Sequence, residues 1–408
     1  MAASTGHAAN IPLIDVSSSS SETAKQLLDA ASTGGFVFVK NNEAGIPPAD
    51  IREMFELSRA FFGSPTAVKE ECSINSNESG ENRGWLSMHT ETLDPAHQER
   101  GDFKEAFNIG EYIDNRAQQP LPPPLVPYED RIGAFFAACH ALCNRILRLF
   151  AIALEIPSTA GGPSWFAAHH DPSSGPSGSV LRLLYYPSVA NHSPDALDIR
   201  AGAHSDYGSI TLLFQLPGQP GLEILTGEGW RGVPADPAGA FPASGSKDGS
   251  SNGVEAGDGE GKGDAGGEAL PILVNIGDLL SYWTHGLLRS TVHRVVFPTP
   301  PASPGTSLTP RPSASATASP PVSAPPLETP SADRYSIAYF CHPLDDARLV
   351  PVPSPLVAEL ARADGEDGQR RPPDGAKTAR EHLNERLAAT YGAVGKGKGK
   401  GEERDEAV

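Results

Sequence analysis

Four His-x-Asp/Glu pairs stand in this chain: His89/Glu91, His97/Glu99, His169/Asp171 and His204/Asp206. On a strand, residues two apart face the same side, so such a pair brings an imidazole and a carboxylate to one place. With a distant second histidine it forms a 2-His-1-carboxylate triad. That triad occupies one face of an octahedron and suits Fe(II), and it leaves three positions where a cosubstrate and O2 bind. A pair alone says little, because 12 histidines and 50 acidic residues among 408 positions yield one or two by chance. Context separates them. His97/Glu99 lies in a charged, irregular stretch, His89/Glu91 runs into a Leu93-Asp-Pro95 turn, and Asp171 is followed by Pro172 and a Ser/Gly loop. Those three read as solvated loops. His204/Asp206 leads into an apolar, β-forming run, Ser209-Ile-Thr-Leu-Leu-Phe214.

The second histidine is best assigned to His293, within Ser290-Thr-Val-His-Arg-Val-Val-Phe297, where Thr291, His293 and Val295 share a strand face. His285 and His342 compete, but each adjoins a turn residue, Gly286 or Pro343. A third element is Arg334-x-Ser336, again two residues on one face. A guanidinium pairs bidentately with a carboxylate and a neighbouring hydroxyl adds a hydrogen bond. The pair therefore suits the far carboxylate of a dicarboxylate whose other end chelates iron. Arg311-x-Ser313 has the same form but sits in a Pro/Ser-rich stretch and is set aside.

These residues need strands to hold them. Ile11–Asp15 and Gly34–Val39 read as strands, and Glu22–Ser32 and Pro48–Phe62 as amphipathic helices. Residues 70–119 look polar and irregular. Tyr128–Ile156 reads as a long apolar helix ended by Pro157. From Val180 onward short β-rich runs alternate with turns, so a helical front precedes a β core of sandwich or jelly-roll type. Two stretches interrupt that core: 236–269, rich in Gly, Ser, Asp and Glu, and 298–331, rich in Pro, Ser, Thr and Ala. Neither buries enough apolar surface to offset its ordering entropy, so both read as disordered inserts. The expected organisation is an N-terminal region at 11–125, a long helix and connection at 126–175, and the core at 176–345. A helical extension at 346–394, within which Ala379–Tyr391 has helix-forming composition, and a disordered tail at 395–408 follow.

The net charge of −18 argues against a nucleic-acid or anionic-membrane partner, since phosphate binding needs basic surface. Cys72, Cys139, Cys143 and Cys341 form no CxxC pair, which fits a reducing, cytoplasmic setting without a zinc ribbon. Met1–Asn10 has no signal-peptide character, and no run approaches the ~20 apolar residues of a membrane span. A monomer acting on a small molecule is expected.

The order of the pieces resembles the isopenicillin N synthase-like group of the 2-oxoglutarate/Fe(II)-dependent dioxygenase superfamily. The resemblance begins with Ile11-Pro-Leu-Ile-Asp15, Gly35–Val39, Phe61-Phe62 and Gly101–Gly110. It continues through Leu181–Pro187, His204-x-Asp206, Asn275-Ile-Gly-Asp278, Trp283-Thr284, Ser290–Arg294 and Arg334-x-Ser336. It implies a mainly β fold with flanking helices around a double-stranded β-helix (jelly-roll) core. It further implies iron on His204, Asp206 and His293, and 2-oxoglutarate on Arg334 and Ser336 with help from Tyr186. O2 is the co-reactant and ascorbate an optional reductant. The implied reaction oxidises a substrate C–H bond, by default to an alcohol, while 2-oxoglutarate is converted to succinate and CO2. Plant members often carry Asn two residues before the position of Tyr186; Leu184 stands there instead, so that contact is absent. The gaps from Asp206 to His293 and from His293 to Arg334 exceed the usual spacing by about the length of the insert inside each. Three other readings stay open on sequence: a family oxidase that dispenses with 2-oxoglutarate, a non-catalytic binding protein, and a zinc hydrolase.

Overall fold

The computed structural model describes residues 8–41, 45–74, 82–188, 198–237, 270–297, 333–363 and 376–395. Apart from Asp236, Pro237 and Gly395, the expected inserts at 236–269 and 298–331 and the expected tail at 395–408 lie outside the described residues.

Two facing sheets make the core. The larger contains β1 (Leu13–Ile14), β2 (Phe36–Val39), β3 (Gly84–Leu86), β4 (Glu105–Ile109), β7 (Val180–Tyr186), β9 (Ile210–Gln215), β12 (Ile272–Ile276) and β14 (Arg334–Cys341). Their order is β1-β2-β12-β9-β14-β7-β4-β3. The smaller is β11 (Gly229–Gly232), β10 (Leu222–Thr226), β13 (His293–Val295) and β8 (Ala201–His204), in that order. β5 (Tyr112–Ile113) and β6 (Arg116–Ala117) form a separate ribbon.

The period of two along each large-sheet strand sorts its side chains between two environments. Leu181 and Leu183, Ile210 and Leu212, Val274 and Ile276, and Ile337 and Tyr339 join one hydrophobic cluster with the helices. Leu184 and Tyr186, Leu273, Ala338, Phe36 and Phe38 turn the other way and pack against Ala201, Leu222, Ile224 and Val295 of the small sheet. The polar residues of the site share that inward parity. The outer face is covered by α1 (Ser21–Thr33), α2 (Pro48–Phe62) and α4 (Glu129–Ala153). Ser20 caps α1, its Oγ accepting from Thr23 N at 3.1 Å. Pro48 opens α2, where its missing N–H costs nothing. α3 (Thr66–Glu70), α5 (Trp165–Ala168), α6 (Asp278–Trp283), α7 (Pro355–Ala363) and α8 (Ala379–Gly395) complete the α-helices of the described residues.

Two sequence expectations are corrected. Residues 70–119 are not irregular throughout: β3 and β4 extend the large sheet, with Phe107 paired to Leu183 and Asn108 to Arg182. Local composition hid them because both strands are short and polar Glu105 and Asn108 interrupt the apolar residues of β4. The N-terminal region is thus woven into the core sheet through β1 to β4. The second correction concerns Val126–Ala153, which is apolar and long enough to cross a membrane by length and composition. In the fold, the apolar stripe of α4 from Ile132 to Phe150 is buried in the helix-side cluster.

Candidate metal centre

β8 and β13 run antiparallel with His204 directly opposite His293. The two rings lie 4.3 Å apart between centroids. Each ring is fixed by its own backbone: His204 Nδ1–H donates to Gly202 O at 2.7 Å and His293 Nδ1–H to Thr291 O at 3.1 Å. That sets the tautomer and leaves each Nε2 lone pair for a metal. Phe36 packs edge-on against His293.

Asp206 is not on the strand with His204. β8 ends at His204, and Asp206 lies in the turn that crosses to β9 in the opposite sheet. Period-two reasoning singled out a pair that does converge with His293, but tertiary contacts, not a shared strand, orient the carboxylate. Asp206 Oδ2 accepts from Thr211 Oγ1 at 2.7 Å and from Asn275 Nδ2 at 2.8 Å. Its carbonyl accepts from Asp278 N at 2.7 Å. Oδ1 remains, 3.8 Å from His204 Nε2 and 3.7 Å from His293 Nε2. The turn fits because Gly277 has no side chain; a Cβ there would collide with the Gly208 carbonyl.

Two imidazole nitrogens and one carboxylate oxygen converge, and among the described residues no other set of His, Cys, Asp or Glu does so. Burial, reinforced by His293, pushes His204 down to about 3, so it stays neutral and able to ligate. Burial raises the Asp206 pKa, but the two histidines, Asn275 and Thr211 outweigh it and hold the carboxyl below its ordinary value. A neutral–neutral–anionic donor set suits a divalent first-row ion.

The same cavity holds Tyr186, Arg334 and Ser336. Arg334 pairs in register with Tyr186 across β14 and β7, and its guanidinium lies 4.9 Å from the Tyr186 ring centroid. Its Nη1 donates to Ser336 Oγ at 3.2 Å and its Nη2 to Gln215 Oε1 at 3.4 Å. Arg334 is buried, its Nε has no hydrogen-bond partner and no carboxylate pairs with it among the described residues. A buried, unmatched cation is costly, and an anion from outside the chain would offset that cost here. Leu184, opposite Ser336, lines the cavity without a polar atom, in keeping with its reading from sequence.

Two of the three rejected pairs, His97/Glu99 and His169/Asp171, do not line the cavity. His169 packs on Trp165 and Trp283, Asp171 bonds Ser173, and His97 is exposed beside Asp94. His342 is buried and lines the cavity but does not join the triad; burial and nearby His170 push it down to about 3. Tyr207 and Phe340 also line the cavity. Phe107 packs on Phe61, and Asn108 acts at one remove, donating to Asn82 Oδ1 at 2.8 Å.

Glu91 is a correction. Read as part of a solvated loop, it is buried in the cavity wall, where Lys104 and Arg182 face it. Its partners are 13 and 91 positions away, so no local pattern betrays them. Sequence reasoning read Ala379–Tyr391 as helix-forming but did not place it at the site: α8 brings Leu383 and Leu387 to the cavity. Arg386 of α8 pairs with Asp278 at 2.8 Å and lies over the Tyr207 ring, while Tyr207 OH hydrogen-bonds Thr390.

Comparison with known proteins agrees with this geometry. Residues 11–129 match the family "non-haem dioxygenase in morphine synthesis N-terminal", and residues 177–253 match the 2OG-Fe(II) oxygenase superfamily. A UPF0676 protein of Schizosaccharomyces pombe is 34% identical over 293 residues, covering 70% of this chain and 76% of its own length. The proline hydroxylase buaE of Petromyces alliaceus is 27% identical over 375 residues, covering 90% and 93%. Full-length Neurospora crassa T7H, solved with alpha-KG and thymine, superposes with a TM-score of 0.64 at 28% identity, covering 93% of this chain and 96% of that one.

Proposed function

This chain belongs to the 2-oxoglutarate/Fe(II) oxygenase superfamily, and from that membership we propose that His204, Asp206 and His293 are its iron ligands and that Arg334, Ser336 and Tyr186 anchor 2-oxoglutarate. It is an Fe(II)- and 2-oxoglutarate-dependent oxygenase. The observation that carries the site assignment is the unmatched Arg334 guanidinium in the same cavity as the converging Nε2, Nε2 and Oδ1 atoms.

Bound iron and 2-oxoglutarate supply the oxidising chemistry, with succinate and CO2 as the coproducts. The protein's own work is positional. Gly202 and Thr291 carbonyls aim the two imidazoles. Thr211 and Asn275 hold one carboxylate oxygen of Asp206 so that the other faces the histidines. Arg334 and Ser336 fix the far carboxylate of the cosubstrate, and Leu213, Val295 and Phe340 keep the cavity apolar around the reacting groups. The substrate is read as a small-molecule metabolite, as for the relatives named for such reactions, and hydroxylation as the default outcome. The acidic net charge supports a monomer without nucleic-acid or anionic-membrane partners, and the free cysteines support a reducing, cytoplasmic setting.

The test is succinate release from 2-oxoglutarate with Fe(II) and ascorbate, first without substrate and then across a metabolite library. Wild type should form succinate slowly alone and faster with its substrate. Asp206→Ala, His204→Ala and His293→Ala should each abolish both and lose iron while keeping the fold by circular dichroism. Full activity in any of the three would show that the ligands are misassigned.

A further inference from the structure

Asp278, the first residue of α6, reaches three other segments of the chain. Three consecutive amides tie the start of α6 to the turn after β8. Gly277 N donates to Ser209 O at 2.9 Å, Asp278 N to Asp206 O at 2.7 Å and Leu279 N to Gly208 O at 3.1 Å. The Asp278 carboxylate extends that junction. Its Oδ2 accepts from Oγ of Ser205, the residue between His204 and Asp206, at 3.0 Å. Its Oδ1 accepts from Oγ of Ser290, three residues before His293, at 2.7 Å. Arg386 Nη2 of α8 lies 2.8 Å from the same Oδ2. One side chain thus holds both ligand-bearing segments and the helix that carries Leu383 and Leu387 to the cavity.

α8 also touches that turn directly. Arg386 Nη2 donates to Ser205 Oγ at 3.4 Å, the Arg386 guanidinium lies 4.9 Å from the Tyr207 ring centroid, and Tyr207 OH hydrogen-bonds Thr390. Ser205 and Tyr207 flank Asp206, so the carboxylate ligand sits between two residues that α8 contacts. Freedom of Ser205 and Tyr207 is therefore freedom of Asp206, and freedom of Ser290 passes to His293. Partners that fix a ligand from outside strengthen its hold on a metal. Because α8 docks on the same carboxylate, order in the helix and order in the ligands depend on each other.

We propose that Asp278 is a positioning residue through which metal binding at His204, Asp206 and His293 and docking of α8 at the cavity stabilise each other. This rests on the ligand assignment above. The effect is reciprocal: the factor by which docked α8 raises metal affinity is the factor by which bound metal favours docking. The cavity wall supplied by Leu383 and Leu387 is thus held most firmly when the metal is in place.

The experiment uses the full chain and Mn(II) without O2, so that binding is read apart from turnover. Mn(II) affinity is measured by competition with a chelator, and amide hydrogen exchange over Leu383–Thr390 is followed with and without Mn(II). In wild type Mn(II) should slow exchange there. Asp278→Ala should bind Mn(II) about 10- to 100-fold more weakly and lose that slowing. Arg386→Met decides between coupling and a simple field effect. Removing a positive charge near the site tightens cation binding if only the field acts. Coupling requires weaker binding, by up to about fivefold, the size of a partly exposed ion pair. Asp278→Asn keeps an oxygen for Ser290 and an N–H for Ser205 but offers Arg386 no charge. It should weaken binding by a similar factor, and the double variant should be no weaker than either single one. If Asp278→Ala fails to fold, Asp278→Asn and Arg386→Met carry the test. Tighter or unchanged Mn(II) binding in Arg386→Met, wild-type α8 exchange indifferent to Mn(II), or additive losses in the double variant overturns the proposal. His293→Ala is read beside them. If it binds Mn(II) as tightly as wild type, the ligand assignment itself fails; if it loses Mn(II) while wild-type α8 is indifferent to the metal, only the coupling fails.

Discussion

Replacing Arg334 with lysine keeps a positive charge in the cavity but removes the planar fork. The native guanidinium is buried, held by Ser336 Oγ at 3.2 Å and Gln215 Oε1 at 3.4 Å and seated on the Tyr186 ring, so its direction is set before any ligand arrives. A lysine ammonium is a point charge without that geometry. The loss is about one charge-assisted hydrogen bond, ~1.5–3 kcal/mol, or roughly a tenfold to hundredfold weaker hold on 2-oxoglutarate. Two measurements read it. The apparent KM for 2-oxoglutarate should rise by that factor while iron content stays unchanged, because Arg334 is outside the triad. Thermal stabilisation of Mn(II)-loaded protein by 2-oxoglutarate should also shrink. A concentration 100 times the wild-type Kd stabilises by ~2.7 kcal/mol, and after a tenfold to hundredfold loss only ~1.4 to ~0.4 kcal/mol remains. Arg334→Met should leave the protein without 2-oxoglutarate as stable as wild type or more so, since it removes an unmatched buried cation. The reasoning fails if Arg334→Lys leaves the 2-oxoglutarate KM untouched and raises only that of the primary substrate.

Asn275→Leu takes one of the two hydrogen bonds from Asp206 Oδ2 and should weaken iron binding about 10- to 100-fold, measured by competition with a chelator. Arg386→Met should cost at most ~1 kcal/mol of stability, because the pair with Asp278 is partly exposed, yet raise the KM for the primary substrate by loosening α8 over the cavity; an unchanged KM would show that α8 takes no part in closure. His342 is held at about 3 by burial and by His170, while the unfolded chain takes up the proton near ~6.5. The unfolded state therefore binds more protons between those values, so stability is full above pH ~6.5 and is lost as pH falls toward 3. His342→Asn should flatten the decline of Tm with falling pH, and an identical slope would remove His342 as its source.

The sequence by itself determined the parts that depend on local pattern. α2 runs from Pro48 to Phe62 as read, because a proline start and an apolar stripe leave little choice. The strands bearing Arg334 with Ser336 and bearing His293 were legible because a period of two sorts side chains without knowledge of neighbours. Only the tertiary structure decided how Asp206 points, since its orienting partners Thr211 and Asn275 come from β9 and β12. The same holds for Glu91: a carboxylate beside a Leu-Asp-Pro turn looks solvated until Lys104, just before β4, and Arg182 of β7 reach it. A charge is buried or exposed according to partners that are near in space and far along the chain, and no local period encodes that proximity.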